Sequence, residues 1–141
     1  MNWQELSATS HYQTAIEIEE KLEKGNIQEA SAGLKELIEA LGRSEKRALK
    51  SHLTRLMAHI IKWKTQPVKQ SRSWVATIYS SREEIRDIQE ETPSLTDEVI
   101  KEIWEKCFQA AKREAEADMN QDSSVSELSW EDVFKQEYKK D

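Results

Sequence analysis

Apolar residues recur along this chain at the spacing of one helix face after another. Tyr12, Ala15, Ile16 and Leu22 keep that spacing, and Gly25-Asn26 closes the run, because both residues tolerate the left-handed backbone that ends helices. Asn2 with Glu5, and Ser10 with Gln13, offer helix starts ahead of it, so a break between Ser7 and His11 stands beside a single first helix. The clearest pattern follows: Ile27, Ala30, Leu34, Leu37, Ile38 and Leu41 share one face, and beyond Gly42 the series resumes as Leu49, Leu53, Leu56, Ile60 and Trp63. A turn would reset the phase of such a series, and here it slips by only about one residue. The pattern therefore predicts one long helix over residues 27–66, bent at Gly42, or two nearly collinear helices with Ser44 capping the second. Gly33, Ala40 and Ser44 form a line of small residues beside the apolar face, where another helix could approach closely.

Pro67 ends that helix, and residues 65–73 read as a polar, basic loop. A helix from Arg72 or Ser73 to Glu91 buries Trp74, Ile78, Ile85 and Ile88, and Thr92-Pro93-Ser94 both breaks it and starts the next. That helix runs to about Met119 through Leu95, Val99, Ile100, Ile103, Trp104, Cys107 and Phe108, narrowing at Ala110, Ala111 and Ala115. Ser129 with Asp132 signals a short last helix that returns Trp130, Val133 and Phe134 to the core. The expected fold is all-α: a bundle of about four to five helices around a long central one. The expected organisation is a bundle over residues 1–119, a polar, mobile linker over 120–128 and a docking helix over 129–139.

Composition supports this and narrows the function. Three Gly and two Pro in 141 residues are too few for the turns of a β-sandwich or barrel. One cysteine, Cys107, excludes an internal disulfide and a multi-cysteine metal site. No apolar stretch is long enough to cross a membrane and no signal peptide is evident, so a cytoplasmic location without membrane partners is expected. The net charge of −6 is unevenly spread: −5 over residues 1–42, +8 over 43–75 and −9 over 76–141. A basic middle between acidic ends can neutralise itself internally or meet a polyanion, and internal neutralisation is the better account for a chain that is acidic as a whole.

Constellations with chemistry are few. His52 and His59 stand seven residues apart, roughly 10 Å along a helix, too far for one metal ion, and read as half-buried edge residues. Cys107 lies in an apolar stripe and reads as core. No phosphate-cradling loop, nucleophile elbow, cofactor motif or metal site is present. Trp63, Trp74 and Trp104 fall on apolar faces and read as core, while Trp3 and Trp130 pin the ends. Arg43, Arg47, Lys62, Trp63, Arg72 and Trp74 also form a candidate interaction surface, since aromatic residues and Arg dominate interface hot spots. Arg82 stands inside the stripe Trp74–Ile78–Ile85, where a guanidinium needs a partner; Glu36 or Glu45 of the long helix is the expected one.

The run Glu36 to Glu45, the segment Leu56 to Trp63 ending His59-Ile60-Ile61-Lys62-Trp63, then Ser73-Trp74, Arg82 and Pro93-Ser94-Leu95 resemble, in order, the bacterial domain of unknown function numbered twenty-nine. The resemblance spans about Tyr12 to Tyr138, with one departure at Leu37, where that family commonly has a second Glu. It implies an all-helical bacterial protein without an established activity, with Glu36, Glu39, His59, Lys62, Trp63, Trp74 and Arg82 as the positions that match its signature. The leading expectation is a non-enzymatic module that binds a protein or a second copy of itself. Nucleic-acid or polyanion binding through residues 43–75 is one alternative. The other is an enzyme or anion site using His59, Arg82 and Glu36, which belong to a candidate polar cluster, functional or structural, of Glu36, Glu39, Glu45, His59 and Arg82.

Overall fold

A computed structural model describes all 141 residues. The chain is all-α, with no strand: α1 (Trp3–Thr9), α2 (His11–Glu23), α3 (Ile27–Thr65), α4 (Arg72–Glu91) and α5 (Asp97–Met119), followed by one wide turn, Glu131–Lys135. It divides into two compact units, Met1–Arg47 and Ala48–Asp141, with the boundary inside α3. Residues 120–128 and 129–139 fall within the second unit.

Local chemistry sets the boundaries. Asn2 Oδ1 accepts from the Glu5 amide and Ser10 Oγ from the Gln13 amide, so Ser10 ends α1 and starts α2, which places the break between Ser7 and His11. Gly25 takes a φ of 78°, and Asn26 is a helix cap rather than a left-handed residue, its side chain accepting from the Glu29 amide. Helix α3 runs unbroken through Gly42 for 39 residues. An interior glycine costs only about 1 kcal/mol, too little to break a helix packed along its length. Ser71 caps α4. Helix α5 begins four residues later than the Pro93 start expected, because Thr92–Leu95 closes a turn and Thr96 supplies the cap, with Asp97 and Glu98 in the first turn. Asn120 ends α5 with a φ of 49°.

The first unit corrects the expected helix face. Its core is Trp3, Ile18 and Ala30, with Leu6 and Leu37 packed against it. The Trp3 ring lies against Gly33, where a Cβ would come within 2.7 Å of it, and Trp3 Nε1 donates to Glu29 Oε1 at 3.0 Å. An indole needs room, so the small residues Ala30, Gly33 and Ala40 turn inward and the large ones of α3 turn out: Ile27, Leu34, Ile38 and Leu41 are exposed. Helix α2 behaves likewise, burying Thr14 and Ile18 and exposing Tyr12 and Leu22.

The second unit follows the pattern closely. Leu49, Leu53, Leu56, Met57, Ile60 and Ile61 of α3 are completely buried against Ile78 and Ile85 of α4 and Ile100, Phe108 and Ala111 of α5. Cys107 is buried among them, its thiol facing the Lys50 carbonyl at 3.8 Å and pushed up in pKa by burial. Ser129 and Asp132 exchange amide hydrogen bonds of 3.0 Å each, the reciprocal cap foreseen for the last element. That element is a single wide turn closed from the Gln136 amide to the Glu131 carbonyl. Val133 and Tyr138 are completely buried beneath it. Residues 120–128 lack regular structure but are tied at Ser123, whose amide donates to Glu116 Oε2 at 2.7 Å and whose hydroxyl meets Thr65 Oγ1 at 2.8 Å.

Candidate functional site

Arg82 does not pair with Glu36 or Glu45. Its Nε donates to the Val133 carbonyl at 2.8 Å, and its Nη2 to the carbonyls of Gln136 at 2.9 Å and Asp132 at 3.4 Å. The guanidinium also lies over the rings of Tyr79 and Tyr138, 5.4 and 5.5 Å from their centroids. The end of a helical turn leaves carbonyls without intrahelical donors, and a planar fork of five N–H groups satisfies several at once. Countercharge is therefore unnecessary, which is why the expected carboxylate is absent. Tyr138 completes the arrangement: its amide donates to Tyr79 Oη at 3.1 Å, its hydroxyl donates to the Asp132 carbonyl at 2.7 Å, and its ring meets Trp63 edge-on. Burial pushes the Tyr138 phenol up to about 12, so it stays a donor. Neither tyrosine stood out in the sequence, because what matters is which carbonyls lie within reach.

His59 shares no hydrogen-bond partner with Arg82. Its Nδ1 lies 2.9 Å from the Arg55 carbonyl one turn back, which assigns the proton to Nδ1 and leaves Nε2 as the acceptor. Desolvation holds its pKa below the ordinary histidine value. Beside it, the buried Lys62 donates to Asp118 Oδ2 at 2.8 Å, and this hydrogen bond depresses the Asp118 carboxyl. His52 lies 4.0 Å from Glu84, and Lys64 reaches Asp132 at 3.2 Å. Burial alone would raise the Asp132 carboxyl, but the Ser129 amide and Lys64 outweigh it and leave it lowered. No group of three or more His, Cys, Asp or Glu residues converges as a metal site.

The remaining candidates are dispersed. Glu36, Glu39 and Glu45 belong to the first unit, with Glu39 exposed and the other two half-buried. Of the proposed interaction surface, Lys62 is committed to Asp118 and Trp63 to Tyr138, Trp74 is half-buried, and only Arg72 of the second unit is freely exposed. Trp74 is thus not a core residue. Trp104 and Trp130 instead stack at 5.5 Å, with Phe134 4.5 Å from Trp130 and Lys101 above its ring.

Arg43 and Arg47 sit differently. One turn apart in the first unit, they line a polar hollow of about 260 Å³ together with Ser7, Ala8, Thr9, His11, Ala40 and Ser44. No carboxylate lines it, and neither arginine forms an ion pair.

These features define a two-unit, all-helical chain whose most conspicuous polar residues are engaged by its own backbone. The model of the family described as Domain of unknown function DUF29 matches residues 8–139, and the chain belongs to that family. No curated protein matches it. No solved structure matches it either.

Proposed function

We propose that this chain is a non-enzymatic interaction module that pairs with a second copy of itself through an aliphatic seam on the first half of α3. The observation that carries the reading is the exposure of Ile27 (65%), Leu34 (48%), Ile38 (60%) and Leu41 (43%) on a unit that holds only four buried apolar residues, two of them alanines. Their order is a heptad order: Ile27, Leu34 and Leu41 occupy d positions, and Ser31 and Ile38 the intervening a positions. A seam with period seven is covered by a helix of matching period, and Ile38 at a between Leu34 and Leu41 at d is the arrangement that favours two-stranded pairing. A second copy supplies that helix with no further partner, and a two-fold contact needs only one such patch. The competing catalytic set gains no support from the geometry, since Arg82 commits its Nε and Nη2 to backbone carbonyls and shares no hydrogen-bond partner with His59.

Sedimentation velocity over a concentration series tests this. A monomer–dimer equilibrium is expected for the wild type, shifted to monomer by Leu34→Asp with Ile38→Asp while the helical circular dichroism is retained. A monodisperse monomer at about 100 μM, where association of even about −6 kcal/mol would show, overturns the reading.

A further inference from the structure

We infer that the hollow between α1, the start of α2 and α3 of the first unit is a binding site for a phosphate group, as inorganic phosphate or a small phosphomonoester. Arg43 and Arg47 are four residues apart on one helix, so their Cβ atoms lie about 6 Å apart and their guanidiniums flank one space. Two like charges so placed repel unless an anion lies between them. Every ion pair of the chain uses other residues, although nine Asp or Glu and only six Lys or Arg occupy residues 1–47. Acidic side chains are abundant in this unit, yet none lines the hollow, whose wall is Ser7, Thr9, His11 and Ser44 with two alanines. The Ser7 and Thr9 hydroxyls donate to the Gln4 and Glu5 carbonyls, which leaves the Ser44 hydroxyl, the His11 imidazole and two planar forks facing the hollow. These suit a tetrahedral oxyanion, which accepts bidentate bonds from Arg and a single bond from Ser.

Size and surroundings narrow the ligand. At about 260 Å³ the hollow falls below the 300–1,000 Å³ of pockets that enclose drug-sized molecules, so it takes the charged group and leaves the rest of an ester outside. An extended nucleic acid needs a basic surface along its path, whereas this unit carries a net negative charge beyond the hollow. The site therefore selects a compact dianion. It is independent of the aliphatic seam: Ile27, Leu34, Ile38 and Leu41 are absent from its lining.

The test is titration of the full chain with inorganic phosphate, then phenyl phosphate, at constant ionic strength, followed by amide chemical shifts. Saturable binding near or below about 1 mM is expected, with shifts centred on residues 7–11 and 40–47. Arg43→Gln with Arg47→Gln should weaken it by about a hundredfold, as expected for the loss of two charge-assisted contacts. Arg43→Lys should weaken it partially, and Lys46→Gln, which is not part of the lining, should leave it unchanged. Both arginines are exposed, so the helical circular dichroism should persist. Three results would each overturn the proposal. One is the absence of saturable binding. Another is equal phosphate affinity in the double variant. The third, read from a parallel titration with single-stranded oligonucleotides of increasing length, is affinity that rises with length while phosphate gives no response, which would mark a polyanion surface.

Discussion

A charged side chain amid apolar residues has two ways to be satisfied, and Arg82 uses the one that composition does not display. Three backbone carbonyls and two aromatic rings take the place of a carboxylate. Replacing Arg82 by Met preserves bulk but strands those carbonyls, and should cost about 2–4 kcal/mol by urea denaturation. Arg82→Lys should recover only part of this, because one ammonium cannot span the three acceptors. Arg86, whose partner Glu83 is equally exposed, should contribute less than about 0.5 kcal/mol. Protonation also acts at this scale. A histidine with a lowered folded pKa binds protons more readily unfolded, so His59 should reduce stability as pH falls below its unfolded value of about 6.5. Asp118 and Asp132, also lowered, stabilise above the unfolded value of about 3.9 and should lose that contribution as pH falls through their folded values. His59→Gln should remove the first decline and leave the second, as followed by thermal midpoints across pH.

At the scale of elements, helix type, order and most ends were legible because periodicity and caps are local. The Ser10 and Ser129–Asp132 caps rest on side chains within four residues, whereas the break at Ser10 and the continuity of α3 through Gly42 were each one of two readings the pattern left open. The inward face of the first unit was not legible. It depends on one distant indole: Trp3 fills the space along Ala30 and Gly33, so the bulkier aliphatic row had to turn outward. The candidate site was legible only in part, since Arg43 and Arg47 could be flagged by charge, whereas His11, Ser7 and Thr9 join them only through the α1–α2 break. The two glycines of α3 should accordingly differ in sign. A Cβ at Gly42 meets nothing within 4 Å, so Gly42→Ala should stabilise by about 1 kcal/mol. The same change at Gly33 drives a methyl into the Trp3 ring and should destabilise, visible as a shifted Trp fluorescence and a lower thermal midpoint.

At the scale of the whole molecule, two units of unequal core share one helix. Four buried apolar residues belong to the first, against twenty in the second. Local opening should follow that ratio, with amides of α1 and α2 exchanging hydrogen well before those of α3 beyond Ala48 and of α5. Uniform protection across both units would contradict it. The seam and the phosphate hollow both belong to the less buttressed unit. Occupation of either should therefore raise its protection more than that of the second unit, since a ligand that binds only the folded state stabilises it by mass action.

The clamp between Arg82 and the wide turn also bears on how the second unit is born. Tyr138 and Val133 are completely buried, and their partners Trp63, Tyr79 and Arg82 lie 51 to 75 positions earlier. Contacts that distant are slow to form for a helical protein, whose nearer pairings come first. While a ribosome is still translating residues 83–137, the earlier helices have no lid for their core and present an apolar surface to solvent or to a chaperone. Ribosome-stalled chains halted before Val133 has cleared the exit tunnel should thus be protease-sensitive, and become resistant only once Tyr138 has emerged.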